Sequence, residues 1–300
     1  MKINPVFMKD LRSNVRSPKF ATIIFVYTLC LGLLSVMFLY AGMQKPDGQQ
    51  VFNYENCNQF TALIGGIELA VILFVVPMLT SGTIASEKER QTLDYLLISK
   101  LRPFHIICGK IAYALTAAFV FIISSFPANS IIISTGAVPV KVHFQMLSLF
   151  VVTAIFSASI GMFFSALKKK TIPAIALTYM FLVALTLGTI VIYNLNQYIL
   201  EDMSLASSKN SETLPWMFLL NPVATYCYII LEFSSGAPSE WLTEMNRENW
   251  VEFSIFFQLA ASILFILASA LQLNSPRKRM KEHFGHIHLN RRKAKKRKTL

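Results

Sequence analysis

The amino-acid sequence predicts an all-α integral membrane protein whose helices form a bundle of six spans. Hydrophobic residues make up 54% of the 300 residues and charged residues only 15%, whereas soluble domains carry about 25% charged residues. The apolar residues are gathered into long blocks, and a helix needs about 20 of them to cross the ~30 Å hydrocarbon layer. Composition and block length together therefore favour a helical bundle in the membrane.

Six apolar blocks reach spanning length. The first block has no cleavage site of small residues after it, so we do not expect a cleavable signal peptide. The predicted spans are residues 20–41, 60–85, 104–126, 142–167, 171–193 and 251–273. The remaining parts are residues 1–19, an outer segment at 194–250 and a basic tail at 274–300.

The distribution of lysine and arginine predicts how the spans are oriented. Of the 28 Lys and Arg residues, 24 fall on one side of the predicted spans and four on the other. Without the tail, the ratio is still 13 to 4. Because cytoplasmic connections carry the positive charge in multi-pass proteins, we expect both termini in the cytoplasm and the chain in the cell membrane.

The formal net charge of +12 raises the question of an anionic partner. The excess charge lies in the tail and the short connections, where anionic lipid headgroups are the simplest partner. No feature outside these charges is typical of nucleic-acid recognition. The charge therefore indicates lipid contact and no specific nucleic acid.

The N-terminal segment has the pattern of an amphipathic helix lying on the membrane surface. Asn4 is a favourable N-cap, and Pro5 suits the first helical position. Apolar side chains recur every four residues on one face, and arginines offer charge to lipid phosphates. The residues concerned are Phe7, Leu11, Arg12, Val15 and Arg16. A cytosolic leader that only supplies positive charge is the alternative.

The connection between the second and third spans has the pattern of a short, charged cytoplasmic helix. Ser86 and Glu89 have the spacing of a capping box, and Arg90 and Asp94 lie one turn apart and can pair. The predicted helix has an apolar face, which consists of Leu93, Leu96 and Leu97. Such a helix suits docking to another protein, and a solvated connecting helix has the same pattern.

Two features of the apolar regions also point to function. Glu68 is the one carboxylate well inside a predicted span, which indicates a pathway or gating role, a proton site or a buried partner. The apolar stretch 214–231 is interrupted at Asn221 and Pro222. Because proline breaks a helix interior, we expect a broken re-entrant element in the outer leaflet. A seventh span would put the tail outside, against the charge distribution.

Catalytic and metal-binding constellations are not evident. His283, His286 and His288 lie close together in the tail, but tetrahedral zinc needs four ligands. Cys57 and Cys227 fall on the same predicted side, and the sequence leaves their pairing open. We therefore expect no metal and no cofactor bound by this chain.

Several segments resemble permease subunits of ATP-binding-cassette (ABC) transporters of the type-2 permease family. The segments are Asn4–Arg12 with Arg16, Ser86–Leu97, Ile107–Lys110, Phe164–Leu167 and Leu220–Pro222. Their order and the six-span layout match the family along nearly the whole chain.

The resemblance implies an N-terminal elbow helix and a coupling helix that docks into an ATPase. The implied coupling residues are Ser86, Glu87, Glu89, Arg90, Leu93, Asp94, Leu96 and Leu97. It further implies an exporter in which two permease copies, identical or homologous, enclose the pathway and two ATPase subunits drive it. The chain has no Gly-x-x-x-x-Gly-Lys-Ser/Thr loop, so ATP and Mg would be bound by the ATPase, and this chain would not be an enzyme. The alternatives are a membrane enzyme acting on lipid-borne substrates and an anchor that recruits partners through its basic tail.

Overall fold

The structure is a computed structural model that describes residues 7–8, 11, 18–43, 54–93, 103–135, 138–202, 215–235 and 249–297. All regular secondary structure in these residues is helical. In chain order the elements are α1 (Pro18–Met43), α2 (Tyr54–Ser81), α3 (Thr83–Glu89), α4 (Pro103–Thr135), α5 (Val140–Leu167), α6 (Thr171–Asp202), a 3₁₀ segment (Pro215–Leu220), α7 (Pro222–Ser235) and α8 (Trp250–Arg297).

Six described stretches are long and apolar enough to cross a membrane, as the sequence predicts. They are Phe20–Phe38, Asn58–Glu89, Phe104–Ile131, Val140–Leu167, Thr171–Ile192 and Trp250–Leu273. The helices themselves are longer than the predicted spans, because an apolar block marks only the part that crosses the hydrocarbon. A helix satisfies its own backbone hydrogen bonds and continues into polar sequence, as α8 does to Arg297.

Helix α5 lies at the centre of the bundle and contacts α2, α4, α6 and α8. Glycine at position 161 allows a close approach to α2, since a Cβ atom there would lie 2.1 Å from the Thr80 hydroxyl. Small residues permit such approaches between helices in lipid. Gly161 therefore lets α5 pack closely against the end of α2.

Helix α1 lies at the edge of the described bundle. Its Tyr27 ring packs edge-on against Phe121 of α4, with ring centroids 5.3 Å apart. Near its other end, Phe38 stacks on Phe60 of α2 at 4.0 Å. Many of its remaining apolar side chains are exposed, for example Phe25 at 63%, which suits a lipid-facing helix.

The connections gather at two ends of the bundle. At one end α2 and α5 finish, α4 and α6 begin, and α3 lies between them. We call this end the basic end, after Lys88, Arg90, Lys110 and Lys168–Lys170. At the opposite end, the 3₁₀ segment and α7 pack against the beginning of α8.

The described part of the N-terminal segment agrees with a helix. Phe7, Met8 and Leu11 are helical and half-buried. Arg12, Val15 and Arg16 lie outside the described residues, so the interfacial position of this helix stays a prediction.

Candidate functional site

Helix α3 is capped by a residue of α5. The Ser165 hydroxyl oxygen accepts hydrogen bonds from the backbone N–H groups of Ile84, at 2.9 Å, and Ala85, at 3.0 Å. The first turn of a helix leaves such N–H groups without partners in the helix itself, and the N-cap residue Gly82 offers no side chain. Ile84 and Ala85 are fully buried. The start of α3 is therefore bonded to the end of α5.

The middle of α3 is bonded to α4 and again to α5. The Lys110 ammonium donates to the Glu87 carboxylate at 2.8 Å, and its side chain is only 4% exposed. The Lys88 ammonium donates to the backbone carbonyl of Ala166, in the last turn of α5. A cation at a helix C-terminus satisfies carbonyls that the helix leaves free. Both charged residues of this turn thus point into the bundle.

The end of α3 is bonded to α6. The Glu89 carboxylate accepts hydrogen bonds from the Thr171 backbone N–H, at 3.0 Å, and from the Thr171 side-chain hydroxyl, at 2.7 Å. A carboxylate at a helix N-terminus interacts favourably with the helix dipole and with the free N–H groups there. Residues of α3 therefore contact three long helices within seven positions.

The predicted capping box between Ser86 and Glu89 is wrong. Helix α3 begins at Thr83, so Ser86 lies inside the helix and its hydroxyl donates to the Thr83 carbonyl at 3.0 Å. Glu89 bonds to Thr171 instead. The residues just before Ser86 lie within the candidate span Asn58–Glu89, and they also form the first turn of α3.

The predicted single helix from Ser86 to Leu97 is also wrong. Helix α3 ends at Glu89 in a Schellman motif, in which Thr92 N–H donates to the Glu87 carbonyl at 2.9 Å and Gln91 N–H to the Lys88 carbonyl at 3.1 Å. Gln91 has a φ of 58°, in the left-handed region. This position usually carries glycine because other residues are strained there.

The other predicted coupling residues are only partly described. Leu93 is 5% exposed and Arg90 is exposed. Asp94, Leu96 and Leu97 lie outside the described residues, so the predicted Arg90–Asp94 pair stays a prediction.

The break predicted at Asn221 and Pro222 is present. The Asn221 side-chain carbonyl caps α7 by accepting from the N–H groups of Val223, at 2.9 Å, and Ala224, at 3.3 Å. Its amide group donates to the Thr186 carbonyl and, at 2.7 Å, to the Thr189 hydroxyl of α6. One fully buried side chain thus ends the 3₁₀ segment, begins α7 and bonds both to a spanning helix.

Helix α7 is attached to two further spans. Pro222 occupies its first position, where proline costs no hydrogen bond. Thr225 shares a hydrogen bond of 2.6 Å with Ser254 of α8. The Tyr226 hydroxyl donates to the Ala62 carbonyl of α2 at 2.6 Å. The apolar part of α7, Pro222–Phe233, is too short to cross the membrane.

Glu68 lies deep inside the described bundle. It is 2% exposed, and the Asn129 amide of α4 donates to its carboxylate at 3.4 Å. Within the described residues no three metal-ligating side chains come together, here or elsewhere. Cys227 carries a free thiol.

Sequence reasoning did not identify the residues that bond to α3. Ser165 lies in the segment Phe164–Leu167 that carries the family resemblance, but nothing local marks it or Thr171 as a partner of α3. Lys110 did carry a signal, because it is the one lysine inside a predicted span and a charge there needs a partner.

These observations define a multi-pass helical membrane protein with a short helix bonded across its basic end. Residues 40–271 match the family model described as ABC-2 family transporter protein. Since the match covers most of the chain, the chain belongs to this family and is an ABC transporter permease. The resemblance drawn from the motifs is therefore confirmed. A search of curated proteins finds no match.

Proposed function

We propose that this permease is the membrane-spanning subunit of an ATP-driven exporter, working as a dimer with two ATPase subunits on separate chains. Family membership supports a transport role. The observation that carries the proposal is the attachment of α3, whose side chains and backbone are bonded to α4, α5 and α6 at once. A helix with such attachments can transmit a movement of the ATPase to several spans.

The strength of these attachments decides whether they can transmit movement. Removing one partner of a buried ion pair costs about 3–5 kcal/mol, because it leaves the other charge buried and unpaired. Lys110 is 4% exposed and Glu87 is 22% exposed, so the lower part of that range applies. In the proposal, this pair keeps α3 and α4 together when α3 is displaced.

In the proposal, the implied coupling residues form two groups. Glu87 and Glu89 are bonded to Lys110 and Thr171, and in the proposal they hold α3 on the bundle. Arg90 is exposed at the end of α3, and the proposal assigns it to the contact with the ATPase. The segment that follows, with Asp94, Leu96 and Leu97, belongs to the same proposed contact.

The proposal includes an orientation, a location and cargo. The basic end and both termini are in the cytoplasm of a cell-membrane protein, as the lysine and arginine distribution favours. The basic tail contacts anionic headgroups. The 3₁₀ segment and α7 then form the re-entrant element of the outer leaflet. The apolar spans suit an amphipathic substrate, while ATP and Mg stay on the ATPase.

No observation favours the two alternative functions. A membrane enzyme needs several catalytic groups converging at one depth. In the described spans, the groups beside Glu68 are the Asn129 amide and the hydroxyls of Ser125, Tyr27 and Tyr226, and no histidine or second carboxylate is among them. An anchor needs no short helix bonded across three spans.

A charge-exchange experiment tests the proposal. Co-express the permease with a candidate ABC ATPase from the same genome, and measure ATPase stimulation in proteoliposomes for Glu87→Lys, Lys110→Glu and the double variant. Each single reversal puts like charges together and should abolish stimulation, whereas the double variant should restore a substantial part. The control is Glu232→Lys, an exposed glutamate at the opposite end, which should not change it. Full stimulation by both single variants would contradict the proposal.

A further inference from the structure

Helix α6 is bonded to both of the short helices, α3 and α7. Near its first residue, the Thr171 N–H and hydroxyl donate to the Glu89 carboxylate of α3. Further along, the Thr186 carbonyl and the Thr189 hydroxyl accept from the Asn221 amide, at 2.9 Å and 2.7 Å. With a rise of about 1.5 Å per residue, Thr171 and Thr189 are about 27 Å apart, close to the ~30 Å hydrocarbon thickness. One helix therefore joins α3 to α7 across the membrane.

The bonding residues lie on one side of α6. With 3.6 residues per turn, Thr186 and Thr189 lie within about 60° of Thr171 around the helix axis. Met180 and Leu187 lie on the opposite side and are exposed. In the most apolar stretch of each helix, 11% of α6 is buried inside the bundle, against 67% of α5. Because closely packed interiors resist displacement, α6 is easier to shift than α5.

Helix α2 also reaches from α3 to α7, but it is interrupted by a proline. Pro77 lies inside α2, and proline weakens a helix because it lacks an N–H and crowds the preceding turn. In that turn, the Phe74 carbonyl accepts from the Tyr179 hydroxyl of α6 at 2.6 Å, as neighbouring helices commonly do for such carbonyls in membranes. Helix α6 has no proline after Pro173 in its first turn. Of the two helices, α6 is therefore better suited to carry a movement along its length.

We propose that α6 transmits the displacement of α3 to α7, with Thr171 and Thr189 as the positioning residues at its two ends. This inference rests on the proposed function, because the displacement of α3 comes from the ATPase. A shift of α6 that pulls on Asn221 moves the start of α7, since that side chain caps the helix. Helix α7 is bonded in turn to α8 through Thr225 and to α2 through Tyr226. Movement at the basic end thereby reaches three spans at the opposite end.

Hydrogen exchange at the start of α7 tests the inference. Reconstitute the full-length permease with the co-expressed ATPase in lipid nanodiscs, and compare the nucleotide-free complex with the complex trapped by ATP and vanadate. The amides to follow are those of Val223 and Ala224, which donate to the Asn221 side chain. Trapping should make them exchange about fivefold faster, the factor that corresponds to one lost hydrogen bond, because the shift of α6 strains the bonds to Asn221.

Variants at the two ends of α6 show whether this helix carries the effect. Glu89→Ala removes the acceptor at the start of α6, and Thr189→Val removes a hydroxyl that accepts from Asn221. Each should reduce the effect of trapping, and the double variant should show almost none. The matched control is Thr178→Val on the same helix, because the Thr178 hydroxyl donates to the Ala174 carbonyl of α6 itself. This variant should keep the full effect.

Two results would overturn the inference and leave the proposed function intact. In the first, the ATPase is stimulated but trapping does not change exchange at Val223 and Ala224, so the displacement does not reach α7. In the second, the double variant responds to trapping as strongly as Thr178→Val, so the displacement reaches α7 through another helix. Absence of ATPase stimulation in the unsubstituted complex would instead refute the proposed function, and the inference with it.

Discussion

Replacing Ser165 with alanine removes the cap of α3 and leaves the rest of α5 in place. The Ser165 hydroxyl is the shared acceptor for the buried N–H groups of Ile84 and Ala85. Loss of an N-cap serine costs about 0.5–2 kcal/mol, and a buried group left unpaired costs about 1–3 kcal/mol. With two such groups, a local loss of about 3 kcal/mol is expected for the opening of α3.

Hydrogen exchange measures this loss directly. If the Ile84 and Ala85 amides exchange through local opening, about 3 kcal/mol corresponds to roughly a hundredfold faster exchange. The matched control is Ser157→Ala on the same helix, since Ser157 is fully buried but its hydroxyl donates only to the Ala154 carbonyl of α5 itself. Equal exchange rates in the Ser165 and Ser157 variants would refute the role assigned to Ser165.

Two further substitutions test the turns around the site. Gln91→Gly should raise the free energy of unfolding in detergent by about 1 kcal/mol, because glycine removes the strain of a left-handed residue. Gln91→Val should lower this free energy, and an equally large decrease in Gln91→Gly would contradict the backbone assignment. Asn221→Ala should lower the free energy of unfolding by about 2–3 kcal/mol, because it removes the α7 cap and the bonds to Thr186 and Thr189. Asn221→Ser keeps a capping oxygen and should lose less, and an equal loss would show that the cap contributes nothing.

The number of spans could be predicted because it depends on a local quantity. The hydrocarbon thickness sets the length of an apolar block, and each block can be counted without knowing its neighbours. The break before α7 follows from the same kind of reasoning, since Pro222 cannot continue a helix from the preceding turn. The structure shows both features.

The contacts of α3 could not be predicted, because they join residues far apart in the chain. Glu89 and Thr171 are separated by 82 positions, and the packing of α3 against α5 and α6 brings them together. The pattern at Ser86 and Glu89 fits a capping box, but the true start of α3 depends on Ser165, which supplies the cap from another helix. A long-range partner thus replaced the local one.

Photo-crosslinking from position 90 tests the central claim that α3 receives the movement of an ATPase. Introduce a photo-crosslinking amino acid in place of Arg90, and in a second variant in place of Ser130, an exposed residue of α4 away from the basic end. After co-expression with the ATPase and illumination, a permease–ATPase adduct should form from position 90 and not from position 130. An adduct from neither position, with ATPase stimulation intact, would contradict the account.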